Sequence, residues 1–68
     1  MRQFVALRSY LVYLHDNSGS LARTHEIEAG SDEHARELVA LILNEQIVYP
    51  SAEVWDRGRF VCAVRKGE

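Results

Sequence analysis

Only one stretch of this chain carries a helical period. Ala35, Leu38, Val39, Ile42 and Leu43 recur at the i, i+3, i+4, i+7, i+8 spacing of a stripe buried along one side of a helix, and Ala40 and Leu41 widen it. On both sides of that stretch the pattern changes to strand. A single helix can cover one face of a sheet and not two. Whatever the flanking strands build therefore has a second face that this helix cannot reach.

The run Ser9–His15 (SYLVYLH) is rich in aromatic and β-branched residues and predicts a strand over Arg8–His15. Asp16-Asn17-Ser18-Gly19-Ser20 is a dense turn signal, and Leu21–Ala29 reads as a second strand, so the two form an antiparallel hairpin. Gly30 ends it. Ser31 suits the helix N-cap, because its hydroxyl can accept a free backbone N–H, and Asp32 and Glu33 place negative charge where the helix dipole favours it. The helix is expected to run to about Gln46. Ile47–Ser51 is a connector in which Pro50 discourages helix.

Ala52–Trp55 and Arg59–Arg65 predict a second hairpin around Asp56-Arg57-Gly58. A three-residue turn with Gly58 left-handed would set Val54 against Phe60, Ala52 against Cys62 and Trp55 against Arg59. A two-residue turn would instead pair Trp55 with Phe60. The first is preferred because it separates the faces better. The expected architecture is α+β in the order ββαββ, a four-stranded antiparallel sheet with one helix packed on one face. A single domain is expected over residues 1–68, with loose ends at Met1–Gln3 and Lys66–Glu68. The order of the strands within the sheet is not given by these signals.

Side chains alternate across a strand. One face is expected to carry Tyr10, Val12, Leu14, Leu21, Ile27, Val54, Phe60, Cys62 and Val64, apolar enough to lie under the helix. The other carries Leu11, Tyr13, His15, Ala22, Thr24, Glu26, Trp55, Val61 and Ala63. A solvated face should be mostly polar, and this one is not. Single exposed apolar residues are ordinary; a contiguous patch marks an interaction site. The candidate interaction surface is Leu11, Tyr13, Trp55, Arg59, Val61 and Ala63.

Chemistry-bearing motifs are sparse. His15 and His25 should lie several residues apart in register, and His34 sits in the first helical turn. No H-x-x-x-H, H-E-x-x-H or C-x-x-C spacing occurs, so no metal is expected. The glycines at 19, 30, 58 and 67 form no phosphate-binding loop, and no cofactor is expected. Cys62, between Val61 and Ala63 in a strand, reads as a small buried hydrophobe rather than a nucleophile. Glu26 with Glu28, and Glu33 with Glu37, share faces but read as solvated edges, with nothing to tune them as acid and base. No catalytic residue is identified, and an enzyme is not expected.

With 47% hydrophobic and 26% charged residues the chain has an ordinary globular balance. Eight Lys and Arg against ten Asp and Glu give a net charge of −2, which argues against a broad grip on nucleic acid. The longest apolar run, Leu38–Leu43, falls far short of the roughly 18–20 residues of a membrane span. No signal peptide is expected. One cysteine allows no internal disulfide and suits a reducing, cytoplasmic setting. A chain this short buries only about 60% of its unfolded surface, which makes oligomerisation a natural route to further burial.

The residues Tyr10-x-Val12-Tyr13-x-x-Asp16-x-x-Gly19, then Glu26-Ile27-Glu28, Asp32-Glu33, Glu53-Val54-Trp55 and Arg59-x-Val61, resemble a set of small uncharacterised proteobacterial proteins. The resemblance covers roughly residues 9–65. It implies the ββαββ fold and carries no activity and no catalytic residue with it. Met1–Arg8, with Phe4, Val5 and Leu7, extends beyond the pattern and would lengthen the first strand or pack on a partner.

Three functions follow as expectations. The first is a small interaction module, a homodimer joined through the open sheet face. The second is an inhibitor or adaptor that binds a larger bacterial complex, of the kind phages and plasmids carry. The third is single-stranded nucleic-acid binding by Arg57, Arg59, Arg65 and Lys66 interleaved with Trp55 and Phe60.

Overall fold

In a computed structural model, residues 6–46 and 48–67 are described. The elements are β1 (Arg8–His15), β2 (Leu21–Ala29), α1 (Asp32–Glu45), β3 (Ser51–Asp56) and β4 (Arg59–Arg65). The four strands form one antiparallel sheet in the order β2-β1-β3-β4. The expected α+β architecture is therefore the observed one. Both hairpins pair as neighbours, and the helix carries the chain from the β2 edge across β1 to the centre of the sheet. Residues 1–5 of the expected N-terminal extension, Ile47 of the connector and Glu68 lie outside the described residues.

The first turn holds because of one carboxylate. Asp16 Oδ1 accepts from the backbone N–H groups of Ser18 (2.9 Å) and Ser20 (3.1 Å) and from the Ser18 hydroxyl (2.6 Å). These bonds hold the Asp16 carboxyl below its ordinary pKa, the Ser18 side chain contributing most. Gly19 follows at φ 85°, a backbone conformation that glycine adopts without steric cost.

Helix α1 starts where expected. The Ser31 hydroxyl accepts from His34 N–H at 3.1 Å, and His34 Nδ1 accepts from Gly30 N–H at 3.2 Å, so two backbone donors at this end are satisfied by side chains. The buried stripe is Ala35, Val39 and Leu43, with Leu38 and Ala40 packed beside it. Leu41 does not join it: the side chain is 60% exposed. The stripe meets Tyr10, Val12 and Leu14 of β1, Ala52 and Val54 of β3, and single residues of the edge strands, Ala29 and Val64. The core thus draws most of its fully buried strand residues from the two central strands, with Ile27, Val61 and Cys62 of the edge strands packed against it.

Lys66 and Gly67 are not a loose end. Lys66 N–H extends the β3–β4 pairing to Pro50 O (2.8 Å), its ammonium donates to Gln46 O, and Gly67 N–H donates to Asn44 Oδ1 at 3.3 Å. The last turn of α1 has no basic residue of its own, so this ammonium supplies the cation that a helix C-terminus favours.

The second hairpin departs from the expected register. Asp56 pairs with Arg59 and Trp55 with Phe60 around a two-residue turn, and a bulge then sets Cys62 opposite Val54. The left-handed residue is Arg57, at φ 57°, not Gly58. The expected three-residue turn aligned the apolar residues on the assumption of strict alternation. The bulge at Val61 breaks alternation instead, which lets Phe60 leave the helix side while Cys62 and Val64 keep it. A second irregularity, between Leu14 and His15, pairs Leu21 with His15 and turns Leu21 away from the core as well; its side chain is 55% exposed.

Truncation should separate the two sides of the helix. Leu43→Ala, at a fully buried position, is expected to cost about 2–5 kcal/mol in urea unfolding, whereas Leu41→Ala should change stability by no more than about 0.5 kcal/mol.

Candidate functional site

The face away from the helix is built by the odd-numbered residues of β1 and β3. Four levels cross the strands. Glu28 pairs with Ser9; Glu26, Leu11, Trp55 and Phe60 form the next row; Thr24, Tyr13, Glu53 and Ala63 the third; Leu21, His15, Ser51 and Arg65 the last. Tyr13, Trp55 and Phe60 run diagonally across three strands, Tyr13 one row away from the other two. The Tyr13 and Trp55 rings meet edge-on at 6.4 Å, and Trp55 meets Phe60 edge-on at 5.3 Å, separations at which aromatic pairs attract beyond their buried area. Leu11 lies directly opposite Trp55. Phe60 is half exposed.

The polar atoms in the middle of this face are largely satisfied within it. Trp55 Nε1–H donates to Glu53 Oε1 at 3.0 Å. The other carboxylate oxygen lies 3.5 Å from His15 Nε2. That distance is an ion-pair contact rather than a good hydrogen bond, and His15 Nε2, which is shielded from solvent, has no hydrogen-bond partner. Glu53 therefore braces the Trp55 ring from one side and faces a histidine from the other.

Of the expected surface, Leu11, Tyr13, Trp55 and Ala63 share the open face. Val61 is the extra residue of the bulge; it is half-buried and packs against the core cluster. Arg59 does not belong to the surface. It pairs with Asp56 rather than Trp55, and its guanidinium turns to the helix side, where it grips Asp32 through two bonds (Nη1 to Oδ2 3.1 Å, Nη2 to Oδ1 3.0 Å) and Asp56 Oδ2 at 2.8 Å. Its misplacement followed from the three-residue turn. Phe60 takes its place beside Trp55. The aromatic-rich sequence WDRGRF carried that signal, but only the two-residue turn reads it correctly.

The Arg59 cluster is a clamp between sheet and helix. Tyr10, fully buried, donates its hydroxyl to Asp32 Oδ1 at 2.9 Å, and Arg8 donates to Asp56 at 3.2 Å. The Arg59 guanidinium, and then the Tyr10 hydroxyl, hold the Asp32 carboxyl below its ordinary pKa, while burial and then the Asp32 bond push the Tyr10 phenol up. Asp32, Asp56, Arg59 and Arg8 are thereby paired with one another, so neither arginine offers an uncompensated charge to a phosphate.

The thiol of Cys62 is half-buried, and burial pushes its pKa up, which favours the unreactive protonated form. Among the described residues no group of three or more metal-ligating side chains converges. Nor, among those residues, is any helix long and apolar enough to cross a membrane. No family model, curated protein or solved structure matches this chain.

The clamp has a pH signature. Because the Asp32 pKa is lowered in the folded protein, the stabilisation is complete above the ordinary carboxylate value of 3.8 and is lost as pH falls through the lower folded value. Asp32→Asn should lower the melting temperature at pH 7 and make the acid limb below about pH 4 shallower, as followed by circular dichroism across a pH series.

Proposed function

We propose that this chain is a small non-enzymatic interaction module that pairs with a second copy of itself through the open sheet face. The observation that carries the reading is the aromatic run Tyr13–Trp55–Phe60 with Leu11 beside it, on the face the helix does not cover. Contiguous aromatic and aliphatic surface on a sheet is the surface that sheet-on-sheet packing uses. A second observation supports burial of this face: its central carboxylate, Glu53, already has the Trp55 N–H and the His15 ring as neighbours, which lowers the desolvation cost of covering it.

Size sets the strength. Four strands at about 4.8 Å spacing and eight residues at about 3.3 Å rise give a face of about 500 Å², below the roughly 800 Å² per partner of a standard stable interface. The dimer belongs in the weak, concentration-dependent class. Single-strand binding has less support, because of Arg57, Arg59, Arg65 and Lys66 the Arg59 guanidinium is bound to Asp32 and Asp56 and the Lys66 ammonium to the Gln46 carbonyl. The inhibitor or adaptor reading uses the same face with a different protein on it, and a cytoplasmic setting suits both.

Light scattering after size exclusion across a dilution series should give a mass rising from 7.8 kDa towards twice that value at micromolar to millimolar concentration. The emission of Trp55, the single tryptophan, should shift to the blue over the same range. Tyr13→Ser/Trp55→Ser should be monomeric throughout while keeping the far-ultraviolet circular dichroism of the parent. A double variant that dimerises like the parent would show that the face is wrong, and a parent monomeric at every concentration would hand the face to a heterologous protein.

A further inference from the structure

We propose that the second copy docks with its twofold axis parallel to the strands, passing between β1 and β3, so that Glu28 of each protomer meets Arg57 of the other. The proposal rests on the self-association reading above and adds an orientation to it. Charge is unevenly placed around the aromatic residues. Glu26 and Glu28 stand on the β2 edge, level with Leu11 and Ser9. Arg57, in the turn two residues beyond Trp55, lines a surface depression together with Ser9, the residue that pairs with Glu28. The acidic edge and the arginine therefore occupy the same end of the sheet on opposite sides of β1. Glu26, Glu28 and Arg57 are exposed, and none has a hydrogen bond or ion pair with another described residue.

Two packed copies can be related by a twofold axis along the strands or across them. Along the strands, β2 lies over the partner's β4 and β1 over the partner's β3. The rows stay level, Leu11 falls on the partner's Trp55, and Glu28 comes within about one strand spacing of the partner's Arg57 across a gap of about 10 Å, within reach of two facing side chains. Across the strands, β2 lies over the partner's β2, which gathers the glutamates of both copies along one edge. Like charges gathered along that edge disfavour the arrangement. A third operation, edge-to-edge extension of the sheet, leaves the aromatic residues uncovered.

Arg57 carries a second indication. Its φ of 57° is a turn position that glycine or asparagine fills without the steric cost an arginine meets. An arginine held there with no partner in its own chain is explained by a partner outside it.

Three variants test the orientation. Arg57→Asn suits the turn and should fold at least as stably as the parent, yet raise the dimer dissociation constant about tenfold through the loss of two symmetric pairs. Glu28→Arg should do the same. Glu28→Arg combined with Arg57→Glu should return the constant to within about threefold of the parent, and added salt should weaken both paired forms. If Tyr13→Ser/Trp55→Ser dissociates the dimer while the charge variants leave it unchanged, or if the exchange fails to restore it, the axis is wrong and the face is right. A parent chain that remains monomeric overturns both.

Discussion

A single 14-residue helix against a four-stranded sheet is the constraint on which the rest of this structure depends. The helix packs Ala35, Val39 and Leu43 against the sheet, and Tyr10, Val12 and Leu14 of β1 are buried beneath it. The edge strands share little of that cover. On β2, all residues from Leu21 to Glu26 are exposed, and the strand is held mainly by its backbone pairing to β1. Sequence follows burial closely. Where the helix reaches, side chains are aliphatic apart from Tyr10; where it does not, the strand turns polar on β2 and carries aromatic residues on β1, β3 and β4.

The clamp of Tyr10, Asp32, Arg59 and Asp56 fixes how the helix lies on the sheet. A buried phenol needs an acceptor, and the first-turn carboxylate of α1 provides it. That carboxylate serves at once the helix dipole, the Tyr10 hydroxyl and both nitrogens of the Arg59 fork. Three elements, β1, α1 and β4, thus meet at one charged group at one end of the molecule. At the other end, Lys66 and Asn44 tie the chain past β4 to the last turn of the helix. The helix is pinned at both termini by side chains whose partners lie far away in sequence.

Much of this was legible in the residues. The turn at Asp16–Ser20, the Ser31 cap and the helical stripe each have a local signature, and each strand of the first hairpin begins and ends where its composition changes. What escaped was non-local or irregular. Strand order depends on which hairpin strand the crossover places in the centre, and no local pattern encodes that. The bulge at Val61 is a single-residue slip, and one residue is enough to exchange faces. Its consequences are Phe60 on the open face and Arg59 on the helix side, the reverse of what unbroken alternation gives. Leu21 fails for the same reason at the other hairpin. Leu11, Tyr13 and Trp55 survived because they sit on β1 and β3, where pairing is regular from Leu11↔Trp55 to His15↔Ser51.

The open face combines two properties that seldom coincide on a solvated sheet. Its centre is aromatic, and the polar atoms at that centre are turned on one another rather than outward: Trp55 Nε1 on Glu53, Glu53 on His15. Its unpaired charges, Glu26 and Glu28 on β2 and Arg57 in the β3–β4 turn, lie at the margin, while the one carboxylate at the centre, Glu53, is engaged by Trp55 and His15. An apolar middle and a charged rim is the anatomy of a protein interface, in which the middle contributes burial and the rim sets orientation. The acidic rim on one edge and the arginine on the other make this rim self-complementary under only one of the two face-to-face twofold operations. The same arrangement of charge that keeps the isolated edge strands from pairing indiscriminately thereby also selects how a second sheet is received.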